Sequence, residues 1–278
     1  MNNTYPILNE ALALQVLSHL GVDAAPPSLS ALDALLDAYV RRVLWESASR
    51  IARRADTSKT EDCSRWPETF WHEAMTLGTG GTCYESNYAF FALLRYLGYD
   101  GYLTINNMRE FIGCHAAIVI KLDGERYLVD VGLPVHLPVL IDPSRTTSRK
   151  TDFHTYSAIP GENDTFLIER DNHPRSDCYL LVDRVVNDGD YRAILTNDYD
   201  HQDGQFLDRV ILVRVIDGCI WRFNSDEGPP YHLEKFGDNA KTYYDLGDDM
   251  LLIAERVANR FEIDLNVMKK VIKAIPEK

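Results

Sequence analysis

The sequence predicts an α+β fold: helices over about the first hundred residues, an antiparallel sheet or small barrel from about residue 101 to 215, then a mixed tail. Three observations predict it. Up to Gly98 the apolar residues recur at helical spacing. After Gly98 the chain breaks into short β-rich runs with turn residues between them. Helices and strands come in blocks and do not alternate, which separates α+β from α/β.

EALALQVLSHLG carries a helical apolar pattern and stops at Gly21. SALDALLDAYVRRVLWES opens on Ser30 as N-cap and extends the pattern through Ser47, about five turns. RRADTSKTEDCSR reads as a polar connector, and WPETFWHEAMTLG as a short helix ended by Gly78. A glycine-rich turn, TGGT, precedes CYESNYAFFALLRYLGYD, where Tyr88, Phe91, Leu94 and Leu97 mark one helical face closed by Gly98. GYLTI, CHAAIVIKL, ERYLVDVG, DFHTYSAI and DTFLIER are the strand candidates, with PSRTTSRKTD a polar loop among them. In the tail, GCIWRFNS and AKTYYDL read as strands. DDMLLIAERVANRF and DLNVMKKVIKAI read as amphipathic helices with acidic starts and basic later turns, as the helix dipole favours.

The 278 residues are 45% apolar and 26% charged, enough for a sizeable core. Lys and Arg number 29 against 42 Asp and Glu, a formal charge of −13. That balance disfavours a nucleic-acid groove or a polybasic membrane patch, so neither partner is expected. The five cysteines, Cys63, Cys83, Cys114, Cys178 and Cys219, form no C-x-x-C pair and read as free thiols in a reducing cytoplasm. The N-terminus has no basic region followed by an apolar stretch, so no signal peptide is expected, and the sequons at Asn2 and Asn163 read as chance matches. No apolar run reaches membrane-spanning length.

Several motifs fail on inspection. GTGGT lacks the Lys-Ser or Lys-Thr of a phosphate loop. His72-Glu73 begins like a zinc-protease helix, but Thr76 stands where the second His is needed. His154, His173, His201 and His232 lack ligand spacing and read as surface or loop histidines, so no metal is expected.

One constellation survives. Cys83 follows Gly80-Gly81-Thr82 and opens a strong helix pattern. A thiol at a helix N-terminus feels the positive end of the dipole and the free N–H groups of the first turn, which favours the nucleophilic thiolate. The same N–H groups can stabilise an oxyanion, and the two glycines allow close approach to a substrate. The competing reading is a buried structural cysteine. Asp123-Gly124 is a type I′ turn signal between HAAIVIKL and ERYLVD. Pairing Leu122 with Glu125 sets Ala117 opposite Asp130 and His115 opposite Gly132, on one face. His115 and Asp130 are then diagonal neighbours, roughly 7–8 Å apart by Cβ, with Gly132 leaving the imidazole room to turn. An Asp that holds a His which deprotonates a Cys is the thiol form of the nucleophile–base–orienter arrangement. Taken singly, His115 reads as a satisfied strand histidine and Asp130 as a strand-end turn residue. Cys114 points to the opposite face and reads as core.

These segments resemble the arylamine N-acetyltransferase family. Its Gly-Gly-x-Cys-x-Glu/Gln-x-Asn motif matches Gly80, Gly81, Cys83, Glu85 and Asn87; its His matches His115; its Val-Asp-Val-Gly strand end matches 129–132, with Asp130 as the triad Asp. LWESASR resembles the family's Pro-Phe-Glu-Asn-Leu segment, with Glu46 in the Glu position. The match is clear over about residues 40 to 135. The resemblance implies three lobes on a cysteine-proteinase-like core: a helical bundle (1–100) carrying Cys83, a β-barrel (101–205) carrying His115 and Asp130, and an α/β lid (206–278). It implies ping-pong transfer of an acetyl group from acetyl-CoA, through a Cys83 thioester, to a small-molecule arylamine, hydrazine or similar amine. Glu85 then supports the site through hydrogen bonds. Tyr84 and Phe111 are candidates for lining an acceptor pocket, against a reading of both as core packing. Two departures stand out: Thr79 replaces the family's Arg four residues before the Cys, and Gly132-Leu133-Pro134 replaces Gly-Phe-Gly. Arg145, Arg149 and Lys150 form the local basic cluster for an anionic donor. Two other readings stay open: a transglutaminase-like or peptidase-like cysteine enzyme acting on an amide, and a non-catalytic binding protein on the same fold. Neither the acceptor amine nor the oligomeric state is specified by these residues.

Overall fold

The apolar spacing of the first hundred residues and the period-two runs after them become eight helices and thirteen strands in the computed structural model, counted over the described residues 5–133, 135–173, 175–200, 204–237 and 240–273. The Asn2 sequon, Pro134, His201 and the end of the last expected helix (274–275) lie outside them. In chain order the elements are α1 (Glu10–Leu20), α2 (Leu29–Arg42), β1 (Trp45–Glu46), α3 (Ala48–Asp56), α4 (Pro67–Leu77), α5 (Cys83–Tyr96), β2 (Asp100–Met108), β3 (Phe111–Leu122), β4 (Glu125–Val129), β5 (Val139–Leu140), β6 (Thr147–Lys150), β7 (Thr155–Pro160), β8 (Thr165–Arg170) and β9 (Asp177–Val182). Then follow α6 (Asp188–Asn197), β10 (Ile211–Ile216), β11 (Cys219–Asn224), β12 (Tyr231–Gly237), β13 (Ala240–Gly247), α7 (Met250–Phe261) and α8 (Leu265–Ile272).

The chain divides into two units. The first comprises residues 1–39, 66–68 and 83–192. Here α1 is capped by Asn9, whose side chain accepts the Leu12 N–H, and ended by Gly21 at φ 74°. The Ala31 N–H goes to Ser28 Oγ, so Ser28, not Ser30, supplies the α2 cap. Helix α5 is buried all round from Cys83 to Leu94, not along one face as its spacing predicts. The sheet runs β5-β4-β3-β2-β9-β8-β7-β6, antiparallel throughout. It curls until its edges meet, the Thr147 hydroxyl donating to the Leu140 carbonyl, and so forms the expected barrel. Its inner face buries Ala117, Ile168, Tyr156, Tyr179 and Leu181. The expected polar loop at 143–152 contains strand β6, which pairs with β7 and whose Arg149 is neutralised by Asp33 at 2.7 Å.

The second unit comprises residues 40–65, 69–82 and 193–278. Its sheet is β1-β10-β11-β12-β13. Four sequence expectations change here. The predicted five-turn helix ends at Arg42, and Trp45–Glu46 becomes a strand paired with Val213 and Leu212. The expected polar connector from Arg53 hides the end of a real helix, α3, held by the fully buried Arg50, which ion-pairs Asp198 at 2.9 Å and lies over the Tyr199 ring. The barrel does not extend to residue 215: α6 intervenes, and β10 belongs to this second sheet. Strand β12 lacked a sequence signal and pairs with β11 and β13. Asp249 and Asp264 cap α7 and α8, each accepting two N–H groups of its helix's first turn. These helices cover the sheet with Ile253, Val257, Phe261, Met268 and Ile272.

Candidate active site

The site is built where three element ends of the first unit meet. Cys83 is the first residue of α5, His115 lies within β3, and Asp130 is the first residue after β4. The β3–β4 ladder runs from Leu122↔Glu125 to Ile118↔Val129, the register expected from the Asp123-Gly124 turn. Asp123 and Gly124 take φ of 52° and 83°, as a type I′ turn requires. Past Val129 the chain leaves the ladder. Asp130 therefore turns its carboxylate onto His115, with Oδ2 2.7 Å from Nε2.

Both groups are buried, and the consequences oppose and then outweigh desolvation. Burial pushes the Asp130 carboxyl upward, but the charge and hydrogen bond of His115, the Leu133 N–H and Asn87 bring it below its ordinary value. It stays ionised. Burial favours neutral imidazole at His115, yet the charge and hydrogen bond of Asp130, joined by those of Cys83, raise it well above its ordinary value. Asp130 Oδ1 accepts from Gly132 N at 2.8 Å, Leu133 N at 3.0 Å and Asn87 Nδ2 at 3.1 Å. Oδ1 is thus held by three donors and Oδ2 faces the imidazole, which fixes the direction of the carboxylate.

The structure brings Cys83, His115, Asp130 and Asn87 together. Cys83 Sγ lies 3.8 Å from the Cys114 carbonyl oxygen and is near enough to the imidazole to contribute to the upward shift of His115. Asn87, one turn along α5, reaches the Cys83 carbonyl at 3.1 Å and the Ala116 carbonyl at 2.7 Å, and accepts the Val131 N–H at 3.1 Å. Gly132 does not sit opposite His115 to leave ring room. It lies against Cys83: a Cβ there would fall 2.4 Å from the Cys83 Cα and 2.7 Å from Asn87 Nδ2. Gly80 and Gly81 are buried in the approach to α5, where the Gly80 N–H goes to Glu46 Oε1 at 3.0 Å.

Other expectations resolve unevenly. Glu85 is fully buried in the first turn of α5. Tyr84 is core: its hydroxyl donates to the Gly113 carbonyl, and its own carbonyl accepts from Tyr191 at 2.8 Å. Phe111 is not core; it is 55% exposed at the start of β3. Cys114 is only half-buried, its Sγ 3.3 Å from the Phe111 carbonyl, because β3 begins outside the barrel's covered region. Two members of the expected basic cluster already have carboxylate partners, Arg145 with Asp142 and Arg149 with Asp33, each at 2.7 Å. His232, despite its sequence spacing, comes together with Glu227 and Glu234, ligand atoms within 4.8 Å of one another. Those carboxylates already ion-pair with Arg222, and Glu234 also with Lys241.

The residue that sequence reasoning missed is Tyr179 on β9. Its ring centroid is 4.3 Å from that of His115, tilted 47°. Burial, then the Asp130 charge, push its hydroxyl well above the ordinary range, so it stays neutral. No local signal marks it, because the contact crosses from β9 to β3 over β2. An aromatic pair of this kind contributes about 1 kcal/mol beyond area burial. We expect Tyr179→Leu to slow the alkylation of Cys83 by about fivefold while the melting curve stays cooperative, as iodoacetamide kinetics and circular dichroism would show.

A thiol at a helix start, an imidazole beside it and a carboxylate that orients the imidazole are the parts of a cysteine-nucleophile enzyme. A family model described as N-acetyltransferase matches residues 28–268, and the chain belongs to that family. Solved structures share the fold. The arylamine N-acetyltransferase of Mycobacterium abscessus is 18% identical, with a TM-score of 0.78 over 96% of this chain and 95% of that one. That of Salmonella typhimurium is 15% identical, with a TM-score of 0.78 over 96% and 100%. The Mycobacterium marinum enzyme in complex with CoA is 16% identical, with a TM-score of 0.75 over 94% and 98%. No curated protein matches.

Proposed function

We propose that Cys83, His115 and Asp130 carry a ping-pong transfer of acetyl from acetyl-CoA to an arylamine, hydrazine or similar small amine. The observation that carries this reading is the buried Asp130–His115 pair at 2.7 Å, with Cys83 at the start of α5 among the groups that raise the same imidazole. His115 keeps its proton as an imidazolium beside Cys83, which reacts in its thiolate form. The sulfur attacks the acetyl carbonyl carbon. The carbon–sulfur bond to CoA breaks, and the departing thiolate takes the proton of His115. In the second half the amine nitrogen attacks the thioester, His115 accepts the amine proton, and Cys83 leaves as thiolate. Asp130 holds the ring throughout and does not exchange protons.

Membership of the N-acetyltransferase family supports the reaction class, and the CoA complex of the Mycobacterium marinum enzyme supports the donor. The division into three lobes at residues 100 and 205 belongs to the same reading. So does a cytoplasmic location: no two cysteines are joined, and no helix among the described residues is long and apolar enough to cross a membrane.

The test is intact-protein mass after incubation with acetyl-CoA alone. We expect one acetyl group, absent in Cys83→Ala and discharged by an added arylamine. A native protein that takes no acetyl group while iodoacetamide still modifies Cys83 rapidly would overturn the donor assignment and favour an amide substrate.

A further inference from the structure

The four residues before the nucleophile are not anchored by their own side chains. Gly80 and Gly81 have none, and the hydroxyls of Thr79 and Thr82 are buried without a hydrogen-bond partner among the described residues. The segment is held by its backbone. Glu46, fully buried, accepts the Gly80 N–H at 3.0 Å, and its own N–H reaches the Gly81 carbonyl at 3.4 Å. The other side of the same glycine belongs to Arg65. Its guanidinium, 0% exposed, donates through Nη2 to the Gly80 carbonyl at 2.7 Å. Nη1 lies 3.2 Å from Glu73 Oε2, and the group lies over the Phe70 ring at 5.4 Å. The clamp admits only glycine: a Cβ on Gly80 would lie 1.5 Å from the Leu44 carbonyl oxygen.

A structural ion pair alone does not account for this arrangement. Glu73 is 21% exposed and shared with Arg53. An ion pair of that kind is satisfied nearer the surface, without desolvating a guanidinium completely. The buried end of Arg65 is directed to a main-chain carbonyl three residues before Cys83. The chain also lacks an arginine at position 79, so the cation at this glycine comes from the segment before α4. We propose that Arg65 is a positioning residue for the nucleophile: paired with Glu46, it clamps the Gly80 peptide and thereby fixes how the chain enters α5 at Cys83.

This inference rests on the reading of Cys83 as the nucleophile, and its test requires no acyl donor. Cys83 alkylation by iodoacetamide is followed against pH in the native protein, Arg65→Met, Arg65→Lys and Arg65→Ala. Releasing the Gly80 carbonyl loosens the sulfur's placement against the His115 imidazolium. In Arg65→Met the pH of half-maximal alkylation should rise by about one unit, so that at pH well below it the rate is roughly tenfold lower than in the native protein. Arg65→Lys should move the same way by less, because an ammonium cannot reproduce the fixed fork. Guanidinium at millimolar concentration should restore part of the rate of Arg65→Ala. A merely structural arginine would change the melting temperature and leave the alkylation profile in place. Native profiles in folded Arg65→Met and Arg65→Lys would overturn the proposal, and if the Met variant does not fold, Arg65→Lys decides alone. A native protein that alkylates normally but takes no acetyl from acetyl-CoA would refute the donor reading and leave this test standing.

Discussion

Gly132→Ala should remove acyl transfer almost completely. The added methyl would lie 2.4 Å from the Cys83 Cα and 2.5 Å from its Cβ, with Asn87 Nδ2 at 2.7 Å. The first two cannot swing aside, and the third belongs to an amide pinned by its own hydrogen bonds. Either α5 or the turn after β4 must move, by an amount comparable to the overlap. A displacement near 1 Å at a reacting group costs about a hundredfold in rate, and here the proposed nucleophile itself is displaced. We therefore expect at least about a hundredfold loss in kcat/KM. The alkylation rate of Cys83 should fall in parallel, and the far-ultraviolet spectrum should still be that of a folded protein. A variant that transfers acetyl at the native rate would show that Gly132 does not approach Cys83 as described.

Asp130→Asn should be nearly as severe, for an electrostatic reason. Desolvation is the largest influence on His115 and acts toward the neutral ring; it is overcome by the Asp130 charge and hydrogen bond. With Asn the opposing charge is gone and burial prevails, so His115 loses its proton below its ordinary value. The amide also presents an N–H₂ or a carbonyl to a ring nitrogen that now has no fixed tautomer. By analogy with the Asp→Asn change in a serine protease triad, the loss in kcat should approach 10⁴-fold, to order of magnitude. The pH signature is specific. In the native protein the raised His115 keeps its proton through neutrality, so alkylation should vary little between pH 6 and 8. In Asp130→Asn the rate should be low at pH 6 and climb steadily with pH, as for an unassisted thiol. Equal, flat profiles in the two proteins would mean that Asp130 does not set the charge of His115.

The neighbourhood of His115 and Asp130 was legible because Asp123-Gly124 sets the hairpin register, which holds through Ile118↔Val129. Beyond it the expected pairing fails: Asp130 reaches His115 from outside the ladder, and Gly132 lies against Cys83. Cys83 was legible because a glycine-rich turn and a strong helix pattern meet at it. Tyr179 and Arg65 were not legible. Each reaches its partner across a pairing or a loop that no spacing reveals. The fold divides in the same way. The caps Asn9, Asp249 and Asp264 mark their helices openly. Trp45–Glu46 continued an apolar helical pattern, and only its pairing with β10 makes it a strand. Helix α3 was hidden because Arg50 and Arg53 look like solvated charge until Asp198 and Glu73 are found beside them. Strand β6 was hidden likewise, by an arginine whose carboxylate partner lies in α2.

The four contacts of Asn87 bear on how this protein can vary. One amide ties the Cys83 carbonyl, the Ala116 carbonyl beside His115, the Asp130 carboxylate and the Val131 N–H. Positions 83, 87, 116, 130 and 131 consequently form a single epistatic block. A change at one alters what the others tolerate, and effects within the block should not sum. Residues outside that network, such as the exposed Phe111 and Ile112 at the start of β3, carry no such coupling. Substitutions can therefore accumulate singly at those exposed positions, while the five coupled positions change together or not at all.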